Sequence, residues 1–297
     1  MMNIIHYLHC PLCGSHRLSH YLTSTDHLVS HNNFEILRCT DCNFLFTQDV
    51  PSPQAIGAYY ESLHYSPHHA MSGLMGSIYV MARRVMLRRK AQMVHLYATH
   101  TGTLLDIGAG CGHFLSLMQK RGWMVAGCEQ SETARQMAQS LFGLSLAGDV
   151  WSAQYDTGAF DVITLWHAME HIHDLHGLWS RLRQWLAADG TLVVAVPNCS
   201  SADARHYGCN WAAWDVPRHL WHFSPDTFSA LAAQHGFRVV AIHRLPLDVY
   251  YISLMSEQYR NEKFGLLSAI WHSLLFNIRS TFHIQETSSL IYILRRW

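Results

Sequence analysis

The 297-residue sequence is short of charge. Only 14% of its residues are Asp, Glu, Lys or Arg, and 21 basic residues balance 21 acidic ones to a formal net charge of zero. A surface so sparsely and evenly charged argues against a broad nucleic-acid or anionic-membrane face, which needs an excess of one sign. Long apolar runs are missing as well, none approaching the ~18 consecutive residues of a membrane-spanning helix. The opening Met1 to His9 has neither the basic nor the apolar segment of a secretory signal, so a cytoplasmic location is expected. The length allows one large domain or a main domain with appendages.

Histidine is abundant, at 23 residues, which makes the charge sensitive to pH between about 6 and 7. Cysteine falls into two groups. Cys111, Cys128, Cys199 and Cys209 are scattered singly and read as inert thiols. Cys10, Cys13, Cys39 and Cys42 form two C-x2-C pairs with 25 residues between them. Two thiolates three positions apart fit one edge of a tetrahedron, so two pairs predict a four-cysteine structural zinc site. Gly14 and Asn43 follow the pairs, where the chain must turn through a left-handed conformation. A redox dithiol would need a thioredoxin-like context that is missing.

The centre of the chain is Leu104-Leu-Asp-Ile-Gly-Ala-Gly-Cys-Gly-His-Phe-Leu115. An apolar run, Thr103 to Ile107, reads as a buried strand, followed by a glycine turn and a helix. Gly108, Gly110 and Gly112 let the backbone turn tightly and approach a ligand closely, at the carboxyl end of a strand. The dinucleotide fingerprint G-x-G-x-x-G is absent, since His113 follows Gly112. Trp123 to Glu129 reads as a second strand ending in an acid. Glu129 lies 23 residues beyond Asp106, where a carboxylate can accept from ribose hydroxyls. Ser131 can cap a helix from Glu132 to Leu141. Leu144 to Ala147 follows as a short third strand before Gly148-Asp149-Val150, then Phe160 to Trp166 as a fourth and Thr191 to Pro197 as a fifth. Strand-helix alternation at this rhythm predicts a parallel sheet covered on both faces.

Asp106 followed by Gly-x-Gly-x-Gly, with the later strands and acids in order, resembles class I S-adenosylmethionine-dependent methyltransferases over roughly residues 95–245. The resemblance implies a Rossmann-like seven-stranded sheet. It also implies that Asp106, Gly108, Gly110, Gly112, Glu129, Gln130, Asp149, Val150 and Trp166 bind S-adenosylmethionine, with Asp149 at the adenine amine. His167, Glu170 and His171 follow the fourth strand at i, i+3 and i+4. They resemble the acid-histidine stretch of ubiquinone-biosynthesis-type O-methyltransferases, where these groups lie near the substrate. Some of those enzymes bind a divalent metal there, partly through an additional acid; this chain has His167 at that position. H-x-x-E-H is also the inverted zinc-peptidase motif, but that motif sits within a longer helix. No D/N-P-P-Y run occurs here, against the amino-methyltransferases acting on adenine or glutamine.

Trp211 to Ser224 gathers two more candidates for proton transfer, His219 and His222, beside Trp211, Trp214 and Arg218 as an apolar wall and an anion-binding group. Ser224 and Pro225 should start a helix. Upstream, residues 51–98 read as a linker, a loop over 64–73 that could form a lid, and an amphipathic helix from Ile78 to Ala98. That helix carries Arg83, Arg84, Arg88, Arg89 and Lys90, a solvated face or a landing site for an anion. In the tail, Phe237 to His243 and Ser289 to Leu294 are the sixth and seventh strands, the seventh antiparallel by resemblance. Between them lies a helical insertion over 247–285. Residues 264–278 are apolar around most of the helix, suiting burial, a pocket cover, a dimer contact or a membrane-surface contact.

The expected organisation is a zinc ribbon over 1–50, the linker and helix over 51–98, and a methyltransferase domain over 99–297. The knuckles and Arg-rich helix resemble those of bacterial sugar C-methyltransferases. The expected function is methyl transfer to a small-molecule acceptor, such as a sugar nucleotide or a hydroxylated or lipid-like metabolite. An RNA-modifying methyltransferase and a non-catalytic docking protein are the competing readings.

Overall fold

The amino-terminal segment folds into five short strands: β1 (Ile4–Ile5), β2 (Leu18–Thr25), β3 (Asn33–Cys39), β4 (Leu45–Thr47) and β5 (Val50–Pro51). β3 alternates over its first four residues in the manner of a half-buried strand, with Phe34 and Ile36 inward and Asn33 and Glu35 outward. β2, β3 and β4 pair antiparallel in that order, and β1 closes on β5. Gly14 and Asn43 do take left-handed conformations, at φ 74° and 61°. This computed structural model describes residues 4–60, 74–260 and 265–297, with side chains of the first long helix described from residue 80. The loop expected as a lid over 64–73, and Phe264 at the start of the apolar tail helix, lie outside the described residues.

The main domain follows the helix α1 (Leu74–Tyr97). Its first half runs β6 (Thr103–Ile107), α2 (His113–Lys120), β7 (Met124–Cys128), α3 (Glu132–Phe142) and β8 (Phe160–Trp166). The chain continues through α4 (Leu175–Trp185), β9 (Leu186–Pro197), α5 (Ala202–Tyr207), β10 (Trp221–His222) and α6 (Pro225–Gln234). It ends with β11 (Phe237–Arg244), α7 (Asp248–Tyr259), α8 (Gly265–Phe282) and β12 (Ser289–Arg296). The sheet has six strands in the order β11-β12-β9-β8-β6-β7. β9, β8, β6 and β7 are parallel, and β12 is antiparallel to both its neighbours.

The third strand expected, at 144–147, is reduced to a single bridge, Ala147 to Cys128, which leaves six strands of the expected seven. The amide of Leu144 still bonds back to Ala138 in α3, and Ala147 is the residue that exchanges bonds with Gly127 and Glu129 beside β7. Alternation along the strands divides the core. Leu104, Val162, Val193 and Ile293 pack beneath α1 and α2 with Ala91, Val94, Phe114 and Met118. Leu105, Ile163, Leu192 and Tyr292 face Trp179 of α4 and Phe228 of α6.

That second core does not stop at the main domain. It runs on into Cys10, Leu12, Phe44 and Phe46 of the amino-terminal segment. β10 also leaves the main sheet and pairs with β4, Trp221 opposite Phe46 and His222 opposite Leu45. The segment expected as a separate ribbon over 1–50 therefore takes its fourth strand from the main domain. At the seam Thr47 donates its hydroxyl to the carbonyl of His219 at 2.7 Å, and His222 Nε2 lies 2.9 Å from the same hydroxyl oxygen. Nearby, His173 Nε2 lies 2.9 Å from the carbonyl of Pro51.

Burial holds His222 well below the ordinary histidine value of 6.5, with a smaller contribution from His219. Burial also lowers His173, against the opposing effect of its bond to Pro51. Both are neutral in the fold and take up protons more readily once unfolded. Stability from this source is complete above about pH 6.5 and is lost as the pH falls below it. The melting temperature should fall by about 2–4 °C or more between pH 7 and pH 5, with a shallower fall in His222→Gln. An equally steep fall in that variant would contradict the assignment.

Candidate functional site

Gly108, Gly110 and Gly112 all have positive φ, at 76°, 53° and 75°. The three differ in what surrounds them. A Cβ at Gly108 would come within 2.7 Å of Ala168, and one at Gly112 within 2.9 Å of Leu144. One at Gly110 would meet nothing within 4 Å, so the middle glycine faces open space at the carboxyl end of β6. Gly112 is the residue from which α2 starts, which turns the positive end of that helix toward the same space.

Two of the acids expected around this turn stand at the ends of neighbouring strands, Asp106 in β6 and Glu129 after β7, and Asp149 follows the Ala147 bridge. Glu129, one residue past β7, accepts from the amides of Gly110 and Ser131, both at 2.8 Å. Ser131 in turn caps α3 through the Ala134 amide, and Arg135 donates to the carbonyls of Glu129 and Gln130. Asp149 accepts from the amides of Trp151 and Ser152 at 2.9 and 2.6 Å. Burial would raise its pKa, but those donors, Ser152 foremost, keep it below the usual carboxylate range. Val150 beside it is buried.

Asp106 is 2% exposed and accepts from Thr164 at 2.6 Å. Burial pushes its pKa up to about 7, against Thr164 and the positive charge of Lys90. Lys90 is the one cation of the Arg-rich run whose charge reaches inward to this acid. Its ammonium sits 4.7 Å from the centre of the Trp166 ring, where it is attracted to the π face. Burial lowers its pKa, opposed by Asp106 and Asp248. Trp166 is buried edge-on to Phe114, and its indole Nε1 has no partner among the described residues.

Beyond β8 the chain does not begin a helix at His167. His167 itself has φ 56°, and a short 3₁₀ turn covers Met169–His171. His167 Nε2 lies 2.8 Å from Asp248 at the start of α7, and Nδ1 lies 3.3 Å from Glu170. Burial alone would lower its pKa, but the two carboxylates outweigh it and push the value up to about 9. His167 is therefore a cation at neutral pH, with no lone pair to accept a proton. Glu170 is fully buried; desolvation would neutralise it, and His167 foremost keeps it charged. His171 is held at about 4 by burial and then by the nearby His219. Glu170, His171 and His219 present ligand atoms within 4.8 Å of one another.

The cluster from Trp211 to His222 departs from the expected substrate pocket. Trp211, Trp214 and Arg218 are each 2% exposed or less. Trp211 donates its indole N–H to Asp203, and Trp214 donates to the carbonyl of Gly208. Arg218 donates to Asp215, to the carbonyl of Tyr59, and to Asp26 of the amino-terminal segment at 3.1 Å. His222 belongs to the seam with Thr47. A run of aromatic and cationic residues looks like a binding wall in sequence, but here their polar atoms are taken up in joining two parts of the chain.

The four cysteines converge. Cys10 and Cys42 approach to 3.5 Å between sulfurs and Cys13 and Cys39 to 3.6 Å, and all four sulfurs lie within 4.8 Å of one another. These separations suit four thiolates around one tetrahedral ion. The apolar helix α8 buries Ala269, Ser273 and Ser280 and exposes Leu267, Trp271 and Phe282. Among the described residues no helix is long and apolar enough to cross a membrane.

A sequence profile described as a methyltransferase domain matches residues 81–242, more than half of the chain. Among solved structures, one similar fold is the Burkholderia thailandensis 1,6-didemethyltoxoflavin-N1-methyltransferase, with bound 1,6-didemethyltoxoflavin and S-adenosylhomocysteine. The two are 15% identical with a TM-score of 0.52, over 86% of this chain and 97% of that one. A SAM-dependent methyltransferase from Archaeoglobus fulgidus is 18% identical with a TM-score of 0.49, over 72% and 94%. A geranyl diphosphate C-methyltransferase from Streptomyces coelicolor is 17% identical with a TM-score of 0.49, over 71% and 79%. At such identities the likeness is one of fold. No curated protein sequence matches this one.

Asp26→Ala would remove one of the two carboxylates that face Arg218, leaving Asp215, and strip the turn at Leu28–Ser30 of its acceptor. The variant should lose about 3 kcal/mol in urea unfolding. A loss below about 1 kcal/mol would mean that Asp215 suffices.

Proposed function

The chain belongs to the methyltransferase-domain family, and from that premise we propose that it transfers the methyl group of S-adenosylmethionine to a small-molecule acceptor. The observation that carries the reading is the open space over Gly110, at the carboxyl end of β6 where Asp106 stands, with Glu129 bonded to the Gly110 amide from the end of β7. The residues suit the parts of the cofactor. Glu129 is the acceptor for ribose hydroxyls; Asp149 and Val150 take the adenine. Asp106 and Lys90 offer opposite charges to the zwitterionic amino-acid end, and Trp166 gives it an apolar wall. Bound there, the sulfonium supplies an electrophilic methyl group. The protein then has to hold the acceptor in line and exclude water.

The acceptor side of the crevice is the turn after β8. His167 serves there as a fixed cation that holds Glu170 charged, and Glu170, His171 and His219 are the groups available to orient an acceptor. The absence of net charge supports a small molecule over a nucleic acid. The Burkholderia relative, bound to a small heterocycle, supports the same substrate class. In the amino-terminal segment, Cys10, Cys13, Cys39 and Cys42 suit one structural zinc ion, which would contribute to folding on the order of 10 kcal/mol.

Isothermal titration with two ligands tests the cofactor reading. The unmodified protein should bind both S-adenosylhomocysteine and methylthioadenosine, which lacks the amino-acid end. Lys90→Met should weaken the first by about 10- to 100-fold and leave the second unchanged, and Gly110→Arg should abolish both. Binding of neither ligand by the unmodified protein would overturn the reading. For the metal, elemental analysis should find zinc at one per chain and none in Cys13→Ser. Zinc retained at full occupancy in that variant would rule out the four-thiolate site.

A further inference from the structure

Helix α8 carries its side chains the wrong way round for an ordinary surface helix. Its buried positions are small, Ala269, Ser273 and Ser280, and from 266 to 278 every exposed position is a large apolar residue. Leu266, Ile270, Leu274, Ile278 and Phe282 form one row at i+4 spacing. Leu267, Trp271 and Leu275 form a second row beside it. Exposures of 42–78% on these eight side chains leave roughly 800 Å² of apolar surface in one patch. The largest such patch on a monomeric soluble protein is typically about 300–600 Å².

The helix cannot roll to hide this face, because hydrogen bonds fix the opposite one. Ser268 donates to Glu257 of α7 at 2.6 Å, Asn277 to the carbonyl of Pro246 at 3.0 Å, and Arg244 of β11 to the Ser280 hydroxyl at 3.1 Å. Glu257 is buried, so a rotation that carried Ser268 away would take a donor from a desolvated carboxylate.

The character of the face selects what covers it. A helix lying on a membrane surface flanks its apolar side with lysine and arginine. Arg279 is the one such residue in α8, and it is tied to Glu286. A different protein is selected by charge and hydrogen bonds, and the two rows offer a single polar atom, the indole nitrogen of Trp271. The face is, however, complementary to itself. The first row is symmetric about Leu274, with two members on either side. A two-fold axis there lays the row against its own reverse, ridge beside ridge, as in helices that cross near −50°. The patch also matches the ~800 Å² that each partner gives to a stable interface.

We propose that two copies of the chain associate through α8, about a two-fold axis at Leu274, with Trp271 of each copy as an anchor. The association is independent of the methyl-transfer reading.

Sedimentation equilibrium on the purified full-length protein tests this directly. The unmodified protein should show twice the chain mass in the micromolar range. Leu274→Glu and Leu274→Lys should each weaken association by about 100-fold or more, because the axis sets each new charge against its own copy. Mixed in equal amounts, the two variants should recover the dimer, which requires a residue that faces itself. Leu96→Glu, at an exposed leucine of α1, should associate as the unmodified protein does. Melting curves establish that each variant is folded. A monomeric unmodified protein would overturn the proposal, and its flotation with phosphatidylcholine vesicles would assign the face to a lipid surface instead. Dimers that persist in both Leu274 variants would place the interface elsewhere, and a mixture that stays monomeric would refute the axis.

Discussion

The Arg218 guanidinium is the constraint on which the rest of the structure turns. A buried cation is tolerable only when its donors are met, and here they are met from three directions. Asp215 comes from its own loop, the Tyr59 carbonyl from the linker, and Asp26 from the amino-terminal segment. The loop that carries Arg218 also carries His219 and leads into β10. Fixing this one side chain therefore fixes the pairing of β10 with β4 and the position of His219 against the turn after β8. A single ion network joins the cysteine-bearing segment to the loop beside the turn after β8.

The main sheet divides labour between its two faces. One is closed by α1 and α2 and supports the glycine turn from below, with Phe114 and Trp166 in edge-to-face contact. The other is continuous with the core of the amino-terminal segment, so that segment is part of the domain's packing. The ends of both layers meet at the proposed site, to which Lys90 comes from the first layer and His219 from the second.

Much of this was legible in the sequence because it depends on local spacing. The glycine turn, the cap at Ser131, the start of α6 at Ser224-Pro225 and the four-cysteine convergence each follow from residues close together in the chain, or from two short pairs. What was not legible depends on contacts across the chain. Asp248 is 81 positions from His167 and Asp26 is 192 from Arg218, and no local pattern marks either acid as a partner. Without them His167 reads as a base and Arg218 as an anion-binding group; with them the first is a held cation and the second a tie. Lys90 was hidden among four arginines in the same run, and only the direction in which its helix faces the sheet separates it from them.

The pairing of β4 with β10 has a consequence for synthesis. Phe46 leaves the ribosome long before Trp221 exists, a delay of roughly 10–30 s at ordinary elongation rates. Through that interval β4 is an open edge with its aromatic face bare, the kind of edge that recruits stray strands. A metal-clamped cysteine cluster at the same end of the nascent chain would hold the early strands in register while they wait. The cysteines would then matter most during translation, before the enzyme is finished.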